Sequence, residues 1–212
     1  MASQVGQRMT FENAKALVRS LGYSVDHAKI TQSYLRSEVA LSTSSANYHI
    51  PVLVNDTQNG AVRINERRLN LQDIFVATEW SILFGIGSAS TTNAKLYSYP
   101  NATAFTGTSD DDLWSLYNGY LSLSINNDLV VPAYDVFRSY FVPQTQQSAS
   151  TTDQFDASQN TFYPVEPGIV MNGAANINFQ LIAGGAPATI TANSFICVQQ
   201  RGLLLQNVTT VK

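Results

Sequence analysis

The stretch that decides the fold runs Ile74-Phe75-Val76-Ala77-Thr78-Glu79-Trp80-Ser81-Ile82-Leu83-Phe84. It is rich in β-branched and aromatic residues, and Gly85 and Gly87 follow it directly. Such residues favour strands, whereas glycine is common where a strand bends or ends. The stretch therefore predicts a long, mostly buried strand in the centre of a sheet.

Period-two alternation of apolar and polar residues marks further strands on both sides of this stretch. The alternating apolar sets are Ile50, Val52 and Val54; Val62 and Ile64; Leu121, Leu123 and Ile125; and Ile177, Phe179 and Leu181. The turn residues 56–60 predict a hairpin between the first two sets. Asn126-Asn127-Asp128 predicts a second turn, which leads into Leu129-Val130-Val131 and a strand that continues to Val142. After the turn at Gly184–Pro187, apolar residues at 190, 195–198 and 203–205 predict the last strands.

The N-terminal region has a different period. Phe11, Ala14, Leu17, Val18 and Leu21 recur at helical spacing between Thr10, a candidate N-cap, and Gly22, a candidate stop. They predict an amphipathic helix over residues 11–21. A second, weaker helix is predicted from Asp26 through Ile30 and Tyr34 to Leu35. These helices would form either a docking arm or a lid on the edge of the sheet.

Eight or more short strands with turns at close intervals predict an all-β protein, an antiparallel β-sandwich, and with eight strands a jelly roll. The predicted division is a helical or extended N-terminal arm, residues 1–45, and a single β-sandwich domain, residues 46–212. A fold of alternating strands and helices is disfavoured, since no long helical pattern separates the strands. Residues 144–154 form a polar, low-complexity segment that predicts a loop.

Charged residues make up 13% of the chain, about half the usual share, while hydrophobic residues make up 44%. The predicted surface is therefore polar but nearly uncharged. With a net charge of −3, strong binding to nucleic acid is not expected; Arg63, Arg67 and Arg68, the densest basic group, predict a solvated turn. No secretory signal is visible, and the apolar runs are too short to span a bilayer. We expect a protein made in a cytoplasm.

Catalytic patterns are weak, and the prediction is a protein that is not an enzyme and carries no catalytic, cofactor-binding or metal site. His27 and His49 lie in no nucleophile motif. Cys197, the single cysteine, lies in an apolar run that predicts a small buried residue. Three carboxylates could serve a glycosidase, although each is better explained as a surface or turn residue: Glu79, Asp135 and Glu166. The run Asp110-Asp111-Asp112 predicts the start of a helical turn, with a Ca²⁺ site as the alternative.

Aromatic residues offer a binding alternative, because exposed rings stack on sugars. The candidates are Tyr97, Tyr99, Trp114, Tyr117 and Tyr120. The same rings could instead fill the core or subunit contacts, where they bury large areas.

Three segments resemble virion structural proteins of bacterial viruses with a jelly-roll fold. They are residues 112–124, 136–143 and 199–206, and the resemblance extends over roughly residues 70–208. The resemblance implies a capsid, minor-capsid or decoration subunit that acts by repeated self-association. It supplies no functional residues, because such shell proteins carry no catalytic motif.

Composition points in the same direction, since interface cores are depleted in Lys, Glu and Asp. The expected function is a virion protein that assembles into homo-oligomers, such as trimers or pentamers, and contacts other virion proteins. The N-terminal arm and the polar loop could reach neighbouring subunits. The alternative is a carbohydrate-binding or adhesion module on a virus or cell surface, with a glycan as its partner.

Overall fold

The computed structural model describes residues 11–52, 69–87, 95–99, 105–142 and 161–210. These residues form a β-sandwich with two short α-helices. The helices are α1 (Phe11–Ser20) and α2 (Asp110–Tyr117), and Val136–Ser139 forms a 3-10 helix. The strands are β1 (Tyr23–Ser24), β2 (Lys29–Ala40), β3 (Asn47–Val52), β4 (Ile74–Ile86), β5 (Lys95–Tyr97), β6 (Tyr120–Ile125), β7 (Asp128–Asp135), β8 (Tyr163–Asn172), β9 (Ile177–Ile182), β10 (Ser194–Gln206) and β11 (Thr209–Thr210).

The strands pair in two antiparallel sheets. In the larger sheet the order is β2-β10-β4, and both β8 and β5 pair with the remaining edge of β4. In the smaller sheet the order is β3-β9-β6-β7. The short strands β1 and β11 form a separate pair near the chain ends.

The order of the eight long strands is that of a jelly roll. Numbered along the chain from β2 and leaving out the three short strands, the larger sheet reads 1-8-3-6 and the smaller sheet reads 2-7-4-5. The antiparallel pairs 1-8, 2-7, 3-6 and 4-5 are those of one long hairpin that has been rolled into two layers. The sequence-based prediction of a jelly-roll-like sandwich is confirmed.

The core lies between the two sheets, and β4 contributes three buried aromatic side chains to it, Phe75, Trp80 and Phe84. Trp80 and Phe84 point from β4 into this core, where Phe179 of β9 contacts Trp80 edge-on at 5.8 Å between ring centroids. The buried alternating residues of β3, β6 and β9 meet them from the smaller sheet. The prediction that residues 74–84 form a central strand is therefore confirmed.

Helix α1 lies on the outer face of the larger sheet. Ala14 and Val18 are buried there against apolar residues of β4 and β10, among them Val76 and Leu205. Gly22, with φ of +85°, ends the helix in the left-handed region that glycine tolerates best. The first predicted helix is confirmed. Two roles were considered for it, a docking arm and a lid on the edge of the sheet, and in the structure it covers the outer face of its own sheet.

The second predicted helix is wrong. The segment that holds Ile30, Tyr34 and Leu35 belongs to strand β2, which pairs with β10 from Lys29↔Gln206 to Ala40↔Phe195. Long-range pairing overrides the helical spacing of these residues, because both edges of β10 are then hydrogen-bonded. The predicted division at residue 45 stays a prediction. Strand β2 lies on the N-terminal side of that boundary, yet it pairs with β10 in the larger sheet.

The turn between β6 and β7 lies where the sequence predicts it. Asn126 and Asn127 have φ of 52° and 66°, so they form a two-residue turn with both centres left-handed, the type favoured in hairpins. The predicted strand from Val136 to Val142 is wrong, because Val136–Ser139 is a 3-10 helix that Asp135 caps. Three predicted features lie outside the described residues. They are the turn and second half of the hairpin near residues 56–64, the basic group at 63–68 and the polar loop 144–154.

A glycine at the bulge between β10 and β4 gives a test of the fold. The register shifts between Arg201 and Gly202, and a methyl group at Gly202 would collide with the Val76 carbonyl. We expect Gly202→Ala to lower the free energy of unfolding by about 1–3 kcal/mol, since overpacking forces the backbone to move. Urea denaturation measures the change.

The matched control is Gly184→Ala, where the nearest atom to the added methyl is Ser115 Oγ at 3.4 Å. This substitution should leave stability within about 0.5 kcal/mol of wild type. Equal stability of the two variants would contradict the close approach of β10 and β4.

Candidate interaction surface

Charge is distributed unequally between the two sheets. None of the six residues in each of β3, β6 and β9 is charged, and β7 carries Asp only at its two ends. The larger sheet, by contrast, has Lys, Arg or Glu on every long strand: Lys29, Arg36, Glu38, Glu79, Glu166 and Arg201. The smaller sheet therefore has an outer face that is uncharged apart from Asp135 at its margin.

We call this outer face of β3, β9 and β6 the polar face. Alternation with the buried residues assigns its side chains: Asn47, His49, Pro51, Asn178, Gln180, Ile182, Tyr120, Ser122 and Ser124. Cross-strand register places them in three rows, with Leu129 of β7 continuing the row of Pro51.

Most polar side chains of the polar face are already hydrogen-bonded within the protein. Gln180 Nε2 donates to Asn47 Oδ1 at 2.9 Å, and Asn178 Nδ2 lies 3.2 Å from His49 Nδ1. Ser122 and Ser124 donate to backbone carbonyls of β9. Because these groups already have partners in the free protein, covering them costs less than covering unpaired polar groups.

Exposed apolar residues border the polar face. Leu129 and Val130 of β7 are 57% and 43% exposed, and Tyr120 and Phe137 are exposed at the opposite end. Strand β7 lies at the end of its sheet among the described strands, and it carries Pro132 and two register shifts, features that limit uncontrolled edge pairing. The lack of charged residues is typical of the core of a protein contact surface, although such a core is usually apolar with a polar rim, and here the apolar residues lie at the border.

Four aromatic rings, which we call the aromatic corner, meet where α2 packs against the 3-10 helix: Trp114, Tyr117, Phe137 and Tyr140. The Phe137 and Tyr140 rings are stacked, with centroids 5.2 Å apart and an interplanar angle of 7°. Trp114 lies 5.2 Å from Tyr140. Tyr117 is fully buried beneath them, whereas Phe137 is 44% exposed.

Local capping holds the aromatic corner in place. The Phe137 amide donates to Asp135 Oδ1 at 3.0 Å, and the Ile82 amide donates to Ser139 Oγ at 3.1 Å, which ties the 3-10 helix to β4. In α2, the Asp112 amide donates to the N-cap Ser109, and Asp112 Oδ2 accepts from the Ala188 amide at 3.1 Å. The turn at Gly184–Pro187 is thereby fixed against α2.

The five rings predicted as sugar-stacking candidates do not form one surface. Tyr97 and Tyr117 are buried in the core, where the Tyr117 hydroxyl donates to the Tyr97 carbonyl at 3.4 Å. Trp114 is partly buried in the aromatic corner, Tyr120 is exposed on the polar face, and Tyr99 is partly exposed beyond β5. Phe137 and Tyr140 were missed as candidates. Their spacing of three after a capping Asp was the available signal, since residues three apart align in a 3-10 helix.

The carboxylates considered for catalysis lie on different elements. Glu79 and Glu166 belong to strands of the larger sheet, whereas Asp135 caps the 3-10 helix beside the smaller sheet. Asp110–Asp112 form the first turn of α2, as predicted. Among the residues that the structure describes, no group of three His, Cys, Asp or Glu is placed to hold a metal ion.

The remaining single candidates are structural or exposed. Cys197 is buried in β10, as predicted. His49 lies exposed on β3, while His27 lies exposed in the turn before β2 and not in a helix. No helix in the described part of the chain is long and apolar enough to cross a membrane.

Three tyrosines that are buried or partly buried in the fold have raised pKa values. Burial raises the pKa of Tyr134 to about 12, although the nearby Trp80 indole and the Arg138 guanidinium act in the opposite direction. Burial also raises the pKa of Tyr117 and of Tyr48. The neutral phenol is therefore the form that the fold favours at all three positions.

No protein-family model, curated protein or solved structure matches this chain. Function is therefore inferred from the surface of the described residues.

The raised pKa of Tyr134 predicts a loss of stability in alkali. A folded-state pKa above the unfolded value stabilises the protein fully below the unfolded pKa of 10.0, and this contribution disappears as the pH rises towards about 12. Tyr134→Phe removes the ionisable group. We therefore expect the free energy of unfolding to fall less steeply above about pH 10 in the variant than in wild type.

Urea denaturation of both proteins over this pH range measures the difference. Parallel declines in the two proteins would show that Tyr134 ionises equally easily in the folded and unfolded states.

Proposed function

We propose that this protein is a non-enzymatic structural subunit that assembles with copies of itself, and with other virion proteins, in the shell of a bacterial virus. The observation that carries the proposal is the polar face, on which β3, β6 and β9 contribute no charge. Burying an unpaired charge at a subunit contact costs several kcal/mol, on the order of the whole contact energy. A face without charges avoids this cost.

Two further features support the proposal. The jelly-roll order of the strands is shared by many viral capsid domains, although lectins and cupins use it too. Fold alone therefore does not select the function. The resemblance of residues 112–124, 136–143 and 199–206 to phage virion proteins points to the shell, and the distribution of charge points to self-association through one face.

The alternative function, carbohydrate binding, is favoured by one specific observation. The aromatic corner exposes Phe137 on a rigid stack with Tyr140, beside the exposed Asp135 and Arg138. A flat ring can pack against the C–H face of a sugar while neighbouring polar groups bind its hydroxyls.

A pair of matched substitutions tests the self-association proposal. Gln180→Glu adds one negative charge in the middle of the polar face, whereas Gln199→Glu adds the same charge on the outer face of the larger sheet. Both side chains are partly exposed. We expect Gln180→Glu to raise the dissociation constant for self-association by about tenfold or more, since 1.4 kcal/mol corresponds to a factor of ten.

Sedimentation velocity over a range of concentrations measures this constant, and Gln199→Glu should behave as wild type. Equal behaviour of the two variants would contradict the assignment of the polar face as the contact surface.

Glycan binding is tested separately at the aromatic corner. If the alternative function holds, wild type binds one class of glycan on an array, and Phe137→Ala weakens that binding at least about tenfold, as expected for loss of a central aromatic contact. Leu129→Ala, which also removes an exposed apolar side chain, should leave the affinity unchanged. Failure of wild type to bind any glycan would exclude this alternative for the ligands on the array.

A further inference from the structure

The polar face carries one histidine, His49 of β3, and its side chain is exposed there. Histidine is the side-chain type that ordinarily gains or loses a charge between about pH 5 and pH 8. The other side chains of the polar face are of types that do not titrate in this range. The charge of the face in that range therefore depends on one residue.

Cross-strand pairing places His49 in the middle row of the polar face. His49 lies opposite Gln180 of β9, and Gln180 lies opposite Ser122 of β6. The rows on either side begin with Asn47 and Pro51. A proton gained by His49 therefore puts a positive charge in the same row as Gln180, within the face that the proposed function assigns to subunit contacts.

A hydrogen bond to Asn178 identifies Nδ1 of His49 as an acceptor. Asn178 Nδ2 lies 3.2 Å from this nitrogen. An amide nitrogen only donates, so Nδ1 accepts and the ring proton is on Nε2. In a protonated ring both nitrogens donate. Protonation therefore adds a charge and also turns Nδ1 into a donor that faces a second donor.

Among the described residues, the strands around β3 supply no charged side chain beside His49. Strand β9 and the loop at residues 41–46 carry no charge. Arg36 and Glu38 of β2 form an ion pair on the outer side of the larger sheet, and Lys29 begins β2 at the end away from β3. Strand β7, which carries Asp128 and Asp135, is separated from β3 by β9 and β6. A positive charge at His49 therefore has no partner on these elements.

We propose that protonation of His49 weakens self-association through the polar face, so that the protein assembles at neutral pH and dissociates as the pH falls towards 5. This inference rests on the proposed function and adds its regulation. Burying a positive charge without a partner costs free energy. In a symmetric contact both copies contribute the same patch, so each brings its own His49 to the interface.

Sedimentation velocity of the full chain at about pH 7.5 and about pH 5.5 tests the proposal. We expect the dissociation constant for self-association to be about tenfold or more higher at the lower pH. In His49→Gln the ratio of the two constants should fall to about one, because glutamine has hydrogen-bonding groups but does not titrate. The matched control is His27→Gln, which should keep the wild-type ratio, since His27 lies exposed in the turn before β2 and outside the polar face.

Equal dissociation constants of wild type at the two pH values would overturn this inference and leave the proposed function intact. A pH dependence in His49→Gln as large as that of wild type would do the same. Protein that is monomeric at both pH values would overturn the inference together with the proposed function. Circular dichroism at the lower pH verifies that each protein is folded when its association is measured.

Discussion

Pairing of the last long strand with the first and third is the interaction on which the rest of the structure depends. Strand β10 lies between β2 and β4, and both of its edges are hydrogen-bonded over nearly its whole length. This places strand 8 between strands 1 and 3, which rolls the chain into two layers. The inward-facing side chains of β4 and β10 then meet β9 and β6, and the outer residues of the smaller sheet are left facing solvent. The polar face is thus a consequence of the roll.

Sequence patterns predict the elements whose burial is simple. Strand β4 is buried on both faces and is mostly apolar, interrupted only at Thr78, Glu79 and Ser81, while β6 and β9 are buried on one face and alternate regularly. The Asn126-Asn127 turn is predicted because few residue types tolerate two successive left-handed positions. In these cases, local preference and tertiary environment agree.

Elements that the sequence does not predict are those where tertiary contacts conceal the pattern. Strand β2 turns Ser37 inward and pairs Arg36 with Glu38 on its outer side, at 2.6 Å, so its alternation is not one of apolar and polar residues. Strand β8 carries Pro164 and Pro167, which argue against a strand, and a register shift opposite β4 accommodates them. The aromatic corner depends on α2 and the 3-10 helix meeting across a long separation in sequence. The low overall charge is visible in the composition. The near absence of charged residues from the smaller sheet is visible only once the strands are assigned to sheets.

The central claim is that this jelly roll acts by associating with copies of itself through an uncharged face. The most direct measurement is the mass of the native protein in solution, by light scattering over a wide range of concentrations. A defined oligomer or a larger assembly, with a mass that is a multiple of 23.1 kDa, is the predicted result. A strict monomer at the highest concentrations would contradict the claim and direct attention to ligands of the aromatic corner.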